Sequence, residues 1–493
     1  MRQLVTAIML ALIWTSSASA QETLRLTLKD AIRMAVERNL DLKVELYNPA
    51  QAETELRRAR GIYDPHLTLD TSYRYANNIL SSSVTSEQQT FRLNPGAYQR
   101  LPSGGTLSAV FNNAYFANDH TLTTLSDYWQ SDLTLALTQP LLKNFGRDAT
   151  ELNILVAQQG KEGAMQRYRN RIMATVAQVQ GEYYRLFSLR EDLESRKVSL
   201  ELARRILSET KARVAAGVLP AMETLNAEFG VSSREKELID AERAVRDQVD
   251  TLRLLIMATP GSEIIPVDPL NRQEVVINEA EAIRLARANR PELADLQAQL
   301  AAAEIQERVA RGRTQPDLNL STSLALTGLG EGYGRDLERV GSARYPVWTI
   351  GLQLDYPLGN QVAENEHISS RLKVEQLRVQ QQSLNEGIDN EIRAVIRGVQ
   401  TSYKQLEVSD RNRAYAEERL KAYIKKNEVG LATTKELLDV ENDLSAARSI
   451  QARAQVGYST AVSQYLKATG ELLAREGVTV TAVEADRLAR DGR

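Results

Sequence analysis

Residues 57–72 read RRARGIYDPHLTLDTS, and residues 308–323 read RVARGRTQPDLNLSTS. In each, a helical run closes at a glycine (Gly61, Gly312), a proline follows (Pro65, Pro316), and leucine then alternates with polar residues. Glycine after a helical run reads as a stop, and strict alternation puts every second side chain on one face of a strand. The pair belongs to a longer repeat. Residues 26–73 lie on 277–324 at a constant offset of 251, without a gap and with 17 of 48 pairs identical. The match continues at smaller offsets through Pro140 with Pro357, Tyr183 with Tyr403, Gly217 with Gly430, and Ala258-Thr259 with Ala468-Thr469. A period of about 230 residues is far beyond that of a solenoid and reads as two copies of one large unit.

Composition narrows the function classes. The chain has 493 residues, 25% charged and 5% aromatic, with a net charge of −3 and no cysteine. No basic footprint for nucleic acid is present. Disulfides, thiolate metal sites and lipidation of an N-terminal cysteine are excluded. Met1-Arg2, the apolar run Leu4 to Trp14 and the small-residue site Ala18-Ser19-Ala20 predict a signal peptide over 1–20. Beyond it, no stretch approaches the 18 or so uninterrupted apolar residues of a membrane-spanning helix, so any membrane segment must be built from strands.

Each half is expected to run helix, strand, insertion, strand, very long helix, turn, long helix. Leu28, Ile32, Val36, Leu40, Val44 and Leu46 mark a helix over 28–60. Alternation predicts strands at 67–75 and 318–326, partnered by 133–139 and 349–355. The partner strands stop at Pro140 and Pro357, where a missing N–H ends the ladder. Helices are predicted over about 150–214, 221–258, 362–429 and 433–468, with apolar spacings of three, four and seven that point to coiled-coil packing. About 65 residues at 1.5 Å each give roughly 100 Å, far beyond an ordinary globular helix. Gly217 to Pro220 and Val429 to Thr433 form the turns of two helical hairpins. The expected domains are a first repeat over 21–262, a second over 263–475 and a tail over 476–493.

This ordered set, with the strand ends Gln139-Pro140 and Tyr356-Pro357 and the tips Gly217-Val218-Leu219 and Val429-Gly430-Leu431-Ala432-Thr433, resembles the TolC-type outer-membrane efflux proteins over essentially the whole mature chain. The resemblance implies a mainly α fold with β: four long antiparallel coiled-coil-like helical segments and four transmembrane strands per chain. It implies a homotrimer with a helical α-barrel crossing the periplasm and a twelve-stranded β-barrel in outer-membrane lipid. It also implies a passive duct of a tripartite efflux or type I secretion system, opened by a periplasmic adaptor and an inner-membrane pump. No cofactor, metal, nucleic acid or enzymatic step is implied. The alternative from another class is a periplasmic coiled-coil adaptor or scaffold without a pore, which has no use for strands flanked by Tyr73, Tyr75, Tyr128, Trp129, Tyr345, Trp348 and Tyr356.

Two candidate sites emerge. Glu436, Asp439 and Asp443 are spaced three and four apart, a column of carboxylates on one helix face. The resemblance places an acidic ring of the periplasmic gate on Glu436 and Asp439, with Glu223 and Asn226 at the equivalent first-half positions. The family's inter-helix lock runs from the position of Glu223 to a tyrosine and an arginine; here those are Asn427 and Ala432, with Lys425, Lys426 or Lys435 as replacements. The second site is the pair of tips, Val214, Gly217, Val218 and Leu219 with Val429, Gly430 and Leu431, apolar groups around a turn that an adaptor hairpin would dock on.

Residues 77–130 exceed a simple connection. Thr90 to Leu93, Thr106 to Phe116 and the Gly104-Gly105 turn predict an extra hairpin, placed at or beyond the outer membrane surface. Gly328 to Gly334 is rich in glycine but is followed by no helix start, so it is expected to be an open loop rather than a phosphate site. His66, His120 and His367 are isolated.

Overall fold

The computed structural model describes residues 23–79, 85–119, 125–270 and 272–491. The expected signal peptide and His120 lie outside these residues. The chain forms two compact units, one comprising residues up to Leu46, Arg167–Glu292 and Leu384–Thr481, the other Tyr47–Gln166, Leu293–Ser383 and the residues from Ala482 onward.

The first half contains β1 (Thr23–Leu26), α1 (Leu28–Arg38), α2 (Leu40–Arg60), β2 (His66–Ile79), β3 (Thr85–Arg100), β4 (Thr106–Asp119) and β5 (Asp127–Pro140), then α3 (Leu152–Ala215) and α4 (Ala221–Ile256). The second contains β6 (Glu263–Pro266), α5 (Glu279–Asn289), α6 (Pro291–Arg313), β7 (Asp317–Thr327), α7 (Tyr333–Gly341), β8 (Pro346–Asp355), α8 (Gln361–Glu428), α9 (Thr434–Ala468) and α10 (Val483–Asp491). The chain is mostly helical, as expected, and the four long helices begin and end within two residues of their predicted bounds.

Three local readings change. The helix expected over 28–60 is broken at Asn39, whose Oδ1 accepts the Leu42 N–H at 3.2 Å while its Nδ2 donates to the Leu255 carbonyl. An asparagine that satisfies both a helix start and a distant carbonyl makes a better boundary than a helix interior. Helix α2 does stop at Arg60, just before Gly61, but Gly61 opens a short 3-10 turn rather than a left-handed cap, and α6 runs through Gly312 to Arg313. Finally, a helix does start after the glycine-rich run, at Tyr333. The strand beyond it, β8, returns antiparallel to β7, so the run is no phosphate-binding βαβ turn.

In the unit that holds the small sheet, β1 pairs in parallel with β6. Tyr183, wholly buried on α3, donates its hydroxyl to the Leu26 carbonyl at 2.9 Å and accepts the N–H groups of Val267 and Asp268. Tyr458 on α9 repeats the device, donating to Gln273 O and accepting from Val275 N. A buried phenol must find a partner, and here each one fastens a connecting segment to a long helix.

The second unit carries one antiparallel sheet in the order β2-β3-β4-β5-β7-β8. It has six strands where four were expected. Both segments read as an extra hairpin are strands, and they lie within the sheet between β2 and β5, not appended to its end. The register carries one apolar row across all six strands: Leu67, Ala97, Ala109, Leu135, Leu324 and Trp348. The adjacent row, on the other face, is His66, Tyr98, Ser108, Ala136, Ser323 and Thr349. Leu67 is 88% exposed and Trp348 71%, so the apolar face is open at both margins.

Helix α7 covers one end of that face. Asp336, fully buried, accepts from the backbone N–H and the hydroxyl of Ser131 at 3.2 and 2.5 Å, and the side-chain amide of Asn113 lies 2.9 Å from the same hydroxyl. Gly328 makes this packing feasible, because a Cβ there would lie 2.3 Å from the Asp336 carbonyl oxygen.

Candidate functional site at the helical hairpin tips

Each tip is built by its glycine. Gly217 and Gly430 both have φ +74°, the region that a side chain disfavours. At the first tip Gly217 N–H donates to Val214 O and Val218 N–H to Arg213 O; at the second Gly430 donates to Asn427 O and Leu431 to Lys426 O. These bonds satisfy carbonyls that a helix end leaves open and reverse the chain in a few residues. The helices restart differently. Pro220 precedes α4 without a side-chain cap, whereas Thr433 and Glu436 form a reciprocal capping box on α9.

That box decides the posture of Glu436. Its carboxylate accepts from Thr433 N at 2.8 Å and from Thr433 Oγ1 at 3.0 Å. These hydrogen bonds, with the nearby Lys426 charge, hold its pKa below the ordinary carboxylate value. Asp443 is paired with Arg419 of α8 at 2.7 Å. Asp439 is exposed and lines a groove of about 380 Å³ with Asn226, Phe229, Arg234 and Leu438. The three carboxylates share the exposed side of α9, while Leu437, Leu438, Val440 and Leu444 of the same turns are buried. Glu223 is half-buried with Oε2 unpartnered.

The tip apolar groups divide. Val218, Val429 and Leu431 are exposed, and Val214 and Leu219 are half-buried. Sequence reasoning stopped at the turn and missed the first turns of α4: Met222, Leu225 and Phe229 are all at least 60% exposed and, with Val218, continue a stripe along that helix. The spacing of three and four from Met222 through Leu225 to Phe229 is the signal of one helix face.

The link between the tips also differs from the replacements considered. Arg213 Nη1, on the first hairpin, donates to the Asn427 carbonyl on the second at 3.0 Å, and Asn427 Nδ2 donates to Ala432 O. The positions without the family's tyrosine and arginine are thus occupied by a backbone acceptor and its turn, with the arginine coming from the opposite hairpin. Lys426 instead lies over the Tyr423 ring, 4.9 Å from its centre.

Below the tips, Leu200, Ala203 and Ile206 of α3, Val231 of α4, Ala416 and Leu420 of α8, and Leu437 and Leu444 of α9 form one buried cluster. Inside this layer Arg234 bonds Glu441 through Nε and Nη2, at 2.8 and 2.5 Å, and also donates to Leu438 O and Gly230 O. The close approach of α4 to α9 here depends on Gly230, whose Cβ would sit 2.9 Å from Leu438 Cδ1.

The sequence matches the model of the outer membrane efflux protein family over residues 31–256 and 282–471. The chain belongs to the outer membrane efflux protein family. Both halves of the repeat are covered, and the unmatched interval holds the β6 connection. The pyoverdine export outer membrane protein OpmQ of Pseudomonas aeruginosa is 28% identical over 182 residues, a match spanning 37% of each chain. Among solved structures, the CmeC outer membrane channel of Campylobacter jejuni superposes with a TM-score of 0.64 at 16% identity, covering 90% of this chain and 86% of that one. CusC superposes with a TM-score of 0.66 at 14% identity, covering 93% and 95%. The fold is that of these channels.

Proposed function

We propose that this family member is the outer-membrane duct of an export assembly, without catalytic activity of its own. A single observation carries the reading: one face of the sheet is apolar and the other mainly polar in register across all six strands, and the outer sides of the edge strands β2 and β8 meet no partner strand among the described residues. A sheet of this kind is at home in a bilayer only when its edges are closed, because an unpaired backbone group in hydrocarbon costs several kcal/mol. With an even number of strands, β2 and β8 run in opposite directions. The β8 of one copy then meets the β2 of the next antiparallel, and a homotrimer closes the ring.

The long α3–α4 and α8–α9 hairpins serve as the tunnel through the periplasm. Their tips are the gate and the surface for a periplasmic adaptor, engaged by Val218, Leu219, Val429, Leu431 and the α4 stripe. An inner-membrane pump supplies the energy. Glu436 and Asp439, three copies each, form the acidic entrance that favours cations. A scaffold without a pore would leave the apolar sheet face unexplained. Replacing Glu436 and Asp439 together by alanine and recording planar-bilayer currents tests the gate: cation selectivity and block by multivalent cations should fall, and unchanged values would refute the assignment.

A further inference from the structure

We infer that β3 and β4 are wall strands of the barrel, so that each subunit contributes six strands and three subunits close an eighteen-stranded outer-membrane pore. The inference rests on the duct reading and goes beyond it, because the family resemblance implies four strands per chain.

Three observations place β3 and β4 in the wall. First, they run the full height of the sheet. β3 pairs with β2 from Thr85 to Tyr98, and the Leu101–Gly105 turn sits at the end where the chain leaves for the helices. There Gly146 N–H donates to Ser103 O, Ser103 Oγ donates to Gln139, and a Cβ on Gly104 would lie 2.6 Å from the Asn144 carbonyl oxygen. A plug or a surface hairpin would not return to that end.

Second, their faces match those of the neighbouring strands. Ala97 and Ala109 take the second and third places in the apolar row from Leu67 to Trp348, while Tyr98 and Ser108 fall in the row behind. Third, an aromatic row runs unbroken from β2 to β5 on the apolar face, Tyr73, Phe91, Tyr115 and Trp129, and its middle members come from β3 and β4. Tyr333 of α7 extends it, with ring centres 4.8 Å from Trp129. Apolar-out, polar-in alternation below an aromatic girdle is the pattern of a lipid-facing barrel wall. Two of the polar residues on the apolar face, Asn113 and Ser131, are buried and bonded, Ser131 to Asp336 of α7.

Barrel diameter grows roughly linearly with strand number, so eighteen strands give a pore about half as wide again as twelve, in the range that leaves an open aqueous channel. The cargo class this fits is bulky: a polypeptide, or a solute too wide for a twelve-stranded lumen.

The chain has no cysteine, which makes single-cysteine labelling clean. Ala97→Cys and Ala109→Cys report on β3 and β4, Ser108→Cys on the opposite face, and Leu135→Cys and Ala136→Cys on β5, in the trimer reconstituted in liposomes. Each receives a fluorophore, is challenged with nitroxide-labelled lipid, and is separately timed against a membrane-impermeant thiol reagent. Ala97→Cys and Ala109→Cys should be quenched like Leu135→Cys and react with the impermeant reagent roughly tenfold more slowly than Ser108→Cys, since the bilayer core holds no water. If they react as fast as Ser108→Cys while Leu135→Cys stays protected, β3 and β4 lie outside the wall and this inference fails with the duct intact. If Leu135→Cys and Ala136→Cys behave alike, β5 is not in a barrel wall, and both fall.

Discussion

Arg234 and Glu441, nearly buried between α4 and α9, form an ion pair of 2.5 Å in the layer just below the hairpin tips. Breaking such a pair strands one charge in an apolar layer, whereas replacing both members removes the desolvation cost. Arg234→Ala or Glu441→Ala should each lower the unfolding free energy by roughly 3–5 kcal/mol, and Arg234→Met with Glu441→Leu should lower it far less. Thermal unfolding of the three variants decides this; equal losses in the single and double variants would show that the pair is not the relevant unit.

Gly328 lies under Asp336 and Val340 of α7. Gly328→Ala has no space to occupy, and backbone is the nearest obstacle, so α7 must lift from the sheet at a cost of roughly 1–3 kcal/mol. Protease cleavage between 331 and 345 should become several-fold faster, with the remainder of the sheet unaffected. Unchanged cleavage would mean that the helix is not seated as described.

Glu53 gives a pH dependence. Burial pushes its carboxyl up, but hydrogen bonds and charges from Lys161 and Arg57 outweigh burial, and the folded pKa is lowered. Lys161 also bonds Asp486 of α10 at 2.8 Å. A carboxylate with a depressed folded pKa contributes stability that is complete above its unfolded value and is lost as pH falls through the folded one. Stability should therefore decline below about pH 4.5, and Glu53→Gln should flatten that limb while lowering stability at neutral pH. An identical acid limb in the variant would place the dependence elsewhere.

Arg213 ties the first tip to the second through the Asn427 carbonyl. Arg213→Ala removes the tie without touching the buried layer, so the resting tip should open more often. Planar-bilayer recording should show a several-fold higher mean conductance at rest, and thermal stability should change by no more than about 1 kcal/mol. A resting conductance equal to that of the unchanged protein would remove Arg213 from the gate.

How much of the fold and the tips was legible depends on the kind of signal each feature leaves. Long helices announce themselves by period, and the bounds of α3, α4, α8 and α9 came out within two residues. Strands β5, β7 and β8 show plain alternation. Strand β3 does not: Asn94-Pro95-Gly96 reads as a turn, and only Thr90 to Leu93 looked like a strand. In the fold Pro95 interrupts the pairing with β4 between Arg92 and Gly96, and Asn94 Oδ1 accepts the Asn113 N–H at 3.0 Å, so the chain stays extended through it. Helix α7 was hidden for the opposite reason, since its glycines resemble an open loop and the need for them appears only when Asp336 lands on Ser131. At the tips, the carboxylate column was visible in the sequence, but the engagement of Glu436 with Thr433 and of Asp443 with Arg419 was not. Arg213 carried no signal at all, because its acceptor is a backbone carbonyl 214 residues away.

In the proposed duct, further copies of the chain close the open edges of β2 and β8. Single-channel recording from protein extracted from outer membranes and reconstituted in planar lipid bilayers tests this most directly. The account predicts discrete conductance steps carried by a trimer, cation-selective and reduced by multivalent cations. A membrane-free monomer that gives no steps at any concentration would contradict it.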